Sequence, residues 1–290
     1  MNQTITLPPL LNPGSTPYLV ADTDAHEGPV YVADEDALYF TTIRTESVAL
    51  KRLALADGSV SVVRADANTA NGVALDREGR LVVCEQGTLA EPARITRLDP
   101  ATGAVETLVD AWRGLPLNSP NDVVVKSDGT IWFTDPSYGH LQGFRPEPQT
   151  GDHVYRYDPA SGELTAVADS LDKPNGLAFS PDERVLYIGD NGAPHHLLAF
   201  DVEDGARLTG GRVIAVSTPE HPDGLKTDGE GRIYASYAGG VQVFAPSGGL
   251  IGEINLPGAV NFTFGGRDGN TLFITTDTAV WAAVLNTKGA

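Results

Sequence analysis

The 290-residue chain is 41% hydrophobic, enough to bury a sizeable core, and its length alone allows one or two domains. Its 20 basic and 38 acidic residues leave a formal net charge of −18 with no basic cluster to offset it, which argues against nucleic acid or an anionic membrane as partner. The longest apolar run, AVWAAVL from Ala279, falls far short of the ~20 residues that span a bilayer, and no Lys or Arg precedes Arg44 to mark a secretory or transit segment, so a cytoplasmic protein is expected.

In chain order, residues 17–22 (PYLVAD) are strand-like and precede the first of six similar stretches: HEGPVYV around Glu27, TANGVAL around Asn71, SPNDVVV around Asn121, KPNGLAF around Asn175, HPDGLK around Asp223 and VNFTFGG around Asn261. In each, a polar lead residue opens a short strand, followed by a Gly- or Asp-containing turn and an aromatic or branched strand. Cys84, the single cysteine, sits in the strand-like RLVVCE, reads as a structural thiol and cannot form an internal disulfide. The fourth unit is the clearest, with strands GLAFS, VLYIGD, HLLAFDV and RVIAV separated by turns. After Asn261 only three strands fit before the end of the sequence.

The lead residues are 44, 50, 54, 48 and 38 positions apart. A period of roughly 40–50 residues built from short strands predicts an all-β fold, a six-bladed β-propeller of four-stranded antiparallel blades. The chain reads as a single domain over 1–290, with residues 17–22 completing the last blade by pairing with AVWAAVL, which removes an open edge.

The first strand of each propeller blade lines the central channel, so the lead residues should ring one mouth. Glu27, Asn121, Asn175 and Asp223 then converge as oxygen ligands carrying two formal negative charges, the donor set of a hard divalent cation, Ca²⁺ ahead of Mg²⁺ and Mn²⁺. Zn²⁺ is the weakest alternative, raised only by His26 and His221 beside the ring. Asn71 and Asn261 are read as turn residues, because Asn favours turns. The loop from Pro136 to His153 is expected to roof the mouth, with Tyr138, His140 and Arg145 as substrate contacts. Asp135, Asp190 and Glu85 share one position at the ends of second strands, where they either bind sugar hydroxyls or tie down the loops that follow.

The stretches EGPVY, SPNDVVVKSDGTIWFTDPSYG, KPNGLAFSPDERVLYIGDNG, HPDGLKTDGEGRIY and NFTFGGRDGNTLFITT resemble the SMP-30/gluconolactonase family over residues 17–285. The resemblance implies a six-bladed propeller with one divalent cation in the channel that hydrolyses a sugar lactone. It puts the metal-binding Glu, Asn and Asp on Glu27, Asn175 and Asp223, and a metal- or substrate-contacting Asn on Asn121. The chain departs from the family pattern at Thr42, Gln86 and Ser119, where relatives carry Asp, His and Arg.

These residues suggest a cation that stabilises the charge developing on the lactone as water attacks, with Asp223 as candidate general base and Glu27 or the opened sugar acid as the alternative proton acceptor. The expected substrate is a small-molecule lactone such as glucono-1,5-lactone, and the expected state a monomer or weak homo-oligomer. No Gly-x-Ser-x-Gly elbow, His-Glu-x-x-His, phosphate-cradling Gly-rich loop or EF-hand loop is present, which leaves a serine-hydrolase reading without support. A promiscuous esterase or phosphotriesterase on the same metal site, and a non-catalytic ligand- or protein-binding propeller, are the competing readings.

Overall fold

A computed structural model describes residues 16–290; the first 15 residues of the expected domain lie outside the described residues. Six four-stranded antiparallel sheets follow one another along the chain, each ordered from the channel outward. The inner strands of the first five blades are Ala25–Val32, Ala70–Leu75, Val123–Val125, Pro174–Phe179 and Leu225–Thr227. The sixth blade takes Ala259–Gly265, Thr271–Thr276 and Ala279–Val284 from the end of the chain and Tyr18–Asp22 from its beginning. That closing strand pairs Tyr18 with Ala282 and Asp22 with Ala279, as expected of residues 17–22.

Alternating side chains of each sheet face the neighbouring blades, so the core forms between blades. Val82, Cys84, Ile95, Val123, Ile131, Phe133 and Tyr155 fill one such layer, and Tyr234, Val243, Phe262 and Ile274 another. Val20 and Ala21 of the closing strand pack against Phe273, Val280 and Ala282.

Around the channel each blade is hydrogen-bonded to the next at the level of the lead residues. The hydroxyls of Thr41, Thr134, Ser236 and Thr275 donate to the carbonyls of Asn71, Asn175, Val260 and His26 at 2.5–3.0 Å. All four hydroxyls occupy the penultimate position of a second strand, where blades two and four carry Cys84 and Gly189 instead. There the backbone N–H of Gly72 and Gly176 donates to the carbonyls of Asn121 and Asp223, at 2.8 and 3.0 Å. The ring of contacts is thereby continuous.

This ring revises the turn reading of Asn71 and Asn261. Asn71 lies within the strand Ala70–Leu75 and Asn261 within Ala259–Gly265. Gly72 serves close approach rather than a turn: a Cβ there would sit 2.6 Å from the Asn121 carbonyl oxygen. Gly28, beside Glu27, combines both demands, with φ +57° and a Cβ position 2.7 Å from the Val73 nitrogen.

Candidate active site at the channel mouth

The loops between blades and those joining second to third strands open on one end of the channel, around a cavity of about 440 Å³. Glu27, Asn71, Asn121, Asn175 and Asp223 line it, contributed by five different blades. Four of these are the expected metal ligands, and the structure brings them together. Asp223 is within hydrogen-bonding reach of both the Asn175 amide and the Glu27 carboxyl.

Two carboxyls in mutual contact, Glu27 buried and Asp223 half-buried, are electrostatically unfavourable when both are ionised. Burial, and then the charges of Glu27 and Asp122, hold Asp223 well above the usual carboxylate range. Burial also raises Glu27, against the opposing charge of His26. Asn261 acts on this pair from behind, its Nδ2 donating to Glu27 Oε2 at 2.7 Å, while Gly28 N–H donates to the same oxygen at 3.2 Å. Asn71 contributes a carbonyl oxygen, Oδ1, that is buried at the cavity and has no protein partner. Neither residue was singled out as functional in the sequence, because Asn in a strand carries no mark of what faces it across a ring.

The donor set is all oxygen, half amide and half carboxylate. No group of three or more His, Cys, Asp or Glu suited to a metal occurs among the described residues. Below the ring, Asp122 is buried with Oδ2 unbonded, 4.0 Å from Lys226 Nζ, so that ammonium compensates Asp122 and leaves the Glu27–Asp223 pair with no Lys or Arg partner.

Of the expected substrate contacts, Tyr138 lines the cavity. Its hydroxyl donates to the Lys173 carbonyl at 3.3 Å, and burial together with the Asp223 charge raises its pKa, keeping the phenol protonated at neutral pH. The others are placed elsewhere. His140 lies in the short helix Tyr138–Leu141 and is exposed outside the cavity. Arg145 is buried, its guanidinium donating to the carbonyls of Thr88, Glu91, Leu117 and Asn118, so it clasps two loops. Asp135 accepts the N–H groups of Asn118 and Ser119 at 2.9 and 2.8 Å and thereby sets the segment leading to Asn121. Burial pushes its pKa up to about 7. Asp190 accepts the Asp172 N–H at 2.9 Å. Glu85 takes bonds from Arg64, Asn68, Arg94 and Thr96. All three anchor loops.

His26 lines the cavity with Nδ1 2.8 Å from Asp277, and the exposed His221 packs 5.8 Å from His195. Thr42 and Gln86 face the cavity, whereas Ser119 is buried and spans the Pro136 carbonyl and the Gly139 N–H. The rim also carries Arg44, Gln142, Lys173 and Asn191, which no repeat pattern marked.

The model of the SMP-30/gluconolactonase/LRE-like region matches residues 25–278. The chain is 31% identical to a gluconolactonase of Zymomonas mobilis over 90% of its own length and 79% of the relative's. A pentonolactonase of Haloferax volcanii is 28% identical, covering 89% of this chain and 84% of that one. Among solved structures, a gluconolactonase from Xanthomonas campestris superposes with a TM-score of 0.84 at 36% identity, over 97% and 96% of the two chains. The chain therefore belongs to the SMP-30/gluconolactonase/LRE-like family.

Proposed function

We propose that this protein hydrolyses a sugar lactone to its aldonic acid at the channel mouth, with a divalent cation held by Glu27, Asn121, Asn175 and Asp223. The observation that carries the reading is the floor of the cavity: two carboxyls in contact with each other, flanked by amide oxygens, with no protein cation between them. Such a floor is stable in ionised form only with a positive ion in it, and an all-oxygen set with amide members suits Ca²⁺ better than Zn²⁺. The partnerless Oδ1 of Asn71 faces the same space and fits a further ligand or a bound water. The lactonase names of the aligned relatives support the same chemistry.

When bound, the cation supplies Lewis-acid polarisation of the ester. Asp223, deprotonated in that state, accepts a proton of the water that attacks the carbonyl carbon; as the ring C–O bond breaks, Asp223 returns that proton to the former ring oxygen, which leaves as the hydroxyl of the acid. Asn261 and Gly28 fix the Glu27 carboxylate, and Asn175 orients Asp223. Tyr138, protonated throughout and donating to the Lys173 carbonyl, presents a hydroxyl oxygen at the wall as an acceptor rather than a base.

The test is acid release from glucono-1,5-lactone above the spontaneous rate, for chelator-treated protein with and without Ca²⁺, beside Asp223→Ala. Activity restored by metal and missing from the variant is expected. A folded, Ca²⁺-loaded protein that hydrolyses no member of an aldonolactone panel would overturn the reading in favour of other esters or phosphotriesters.

A further inference from the structure

We propose that the substrate carries a second acid group at the end remote from its lactone, and that Arg44 binds it; this rests on the lactonase reading of the same cavity. The cavity lining sets Glu27, Asn71, Asn121, Asn175 and Asp223 together with Arg44, Gln86, Gln142, Lys173 and Asn191.

Apart from its histidines, the lining carries two carboxyls, Glu27 and Asp223, and two permanent cations, Arg44 and Lys173. A divalent ion on the floor cancels Glu27 and Asp223. Lys173 is already matched, its ammonium in contact with the Asp172 carboxylate. What remains is Arg44, which stacks on Phe144 and forms no ion pair with a carboxylate among the described residues.

Arg44 comes from the loop between the second and third strands of blade one, and its Cζ lies 4.3 Å from the ring centroid of Phe144, in the long loop of blade three. Stacking holds one face of the guanidinium on Phe144 and leaves its edge N–H groups free. That edge is the part of an arginine that pairs with a carboxylate or sulfonate through two parallel hydrogen bonds. A neutral aldonolactone leaves this charge unmatched; the monolactone of a sugar diacid does not.

The experiment compares D-glucaro-1,4-lactone with D-glucono-1,4-lactone, which share a ring and differ in whether the remote carbon is a carboxylate or an alcohol. Wild type should show at least a tenfold higher kcat/KM on the diacid lactone. Arg44→Ala should reduce that preference at least tenfold through KM, and Arg44→Lys should restore part of it. A wild-type preference for the neutral lactone, or an equal loss on both substrates in Arg44→Ala, overturns the proposal. If neither 1,4-lactone is hydrolysed, glucono-1,5-lactone decides whether the lactonase reading itself fails, and Arg44 is then judged by calorimetry with glucarate and gluconate on Ca²⁺-loaded protein. Glucarate binding that weakens at least tenfold in Arg44→Ala supports the assignment, and indifference to the substitution refutes it.

Discussion

Asn261 and Asp223 show what single side chains contribute to the cavity floor. Asn261 touches no cavity surface but holds Glu27 Oε2 at 2.7 Å, the position from which an outer residue sets the aim of a ligand. Asn261→Ala is expected to weaken Ca²⁺ affinity by about tenfold or more while the fold persists, since loss of such partners typically costs 10–100-fold in affinity; calorimetry with circular dichroism checks both halves. For Asp223 the expectation concerns pH. Its folded-state pKa lies well above the ordinary 3.8, so the metal-free folded protein keeps a proton that the unfolded chain has released. The group costs nothing below pH 3.8 and destabilises the fold increasingly as pH rises through the folded value. In chelator, Asp223→Asn should therefore melt above wild type by a margin that widens from pH 5 to pH 8, and a flat or shrinking margin would refute this. Four lead residues were legible as neighbours at one cavity because repetition places them at equivalent points. Arg145 and His140 were not, because burial under carbonyls 54 and 57 residues away, or exposure on the far side of a helical turn, depends on loops outside the repeat.

Blades were more legible than the loops between them. Short strands of alternating or wholly apolar residues at near-constant spacing admit few arrangements, and even the split sixth blade follows from counting strands. The hairpin Ala111–Trp112 with Leu115–Pro116, the helical turn at Tyr138 and the bridge from Asp228 to Gly289 were not foreseen, for they occur once and obey local geometry alone. The closing strand carries a prediction of its own. Removing residues 1–22 exposes the edge Ala279–Val284 and uncovers Phe273, so the melting temperature should drop by about 5–10 °C, the scale of a few kcal/mol in a domain of this size. The truncated protein should also self-associate through the bared edge. A monomeric truncate by light scattering, melting with wild type, would show that the sixth blade does not need its outer strand.

Across the whole molecule, Glu27, Asn121, Asn175 and Asp223, drawn from blades one, three, four and five, make the cavity floor a meeting point of distant parts of the chain. An ion bound there only in the folded state stabilises all of them together, by about 2.7 kcal/mol at a hundredfold excess over Kd. Ca²⁺ should raise the melting temperature of chelator-treated protein by about 5 °C or more in one cooperative transition. No response to Ca²⁺, Mg²⁺ or Mn²⁺ in scanning calorimetry would remove the metal from the proposal.

The circle of hydrogen bonds at the lead residues has a further bearing, on descent. It fastens the floor through backbone groups and small side chains of the inner and second strands and of the residues just before them, and uses no rim side chain. Rim residues such as Arg44, Gln142 and Lys173 are thus free to be exchanged between lineages without disturbing the chemistry beneath them. A gene duplicate of this protein could acquire a new appetite by altering a few loop codons, while inheriting its reactive centre whole.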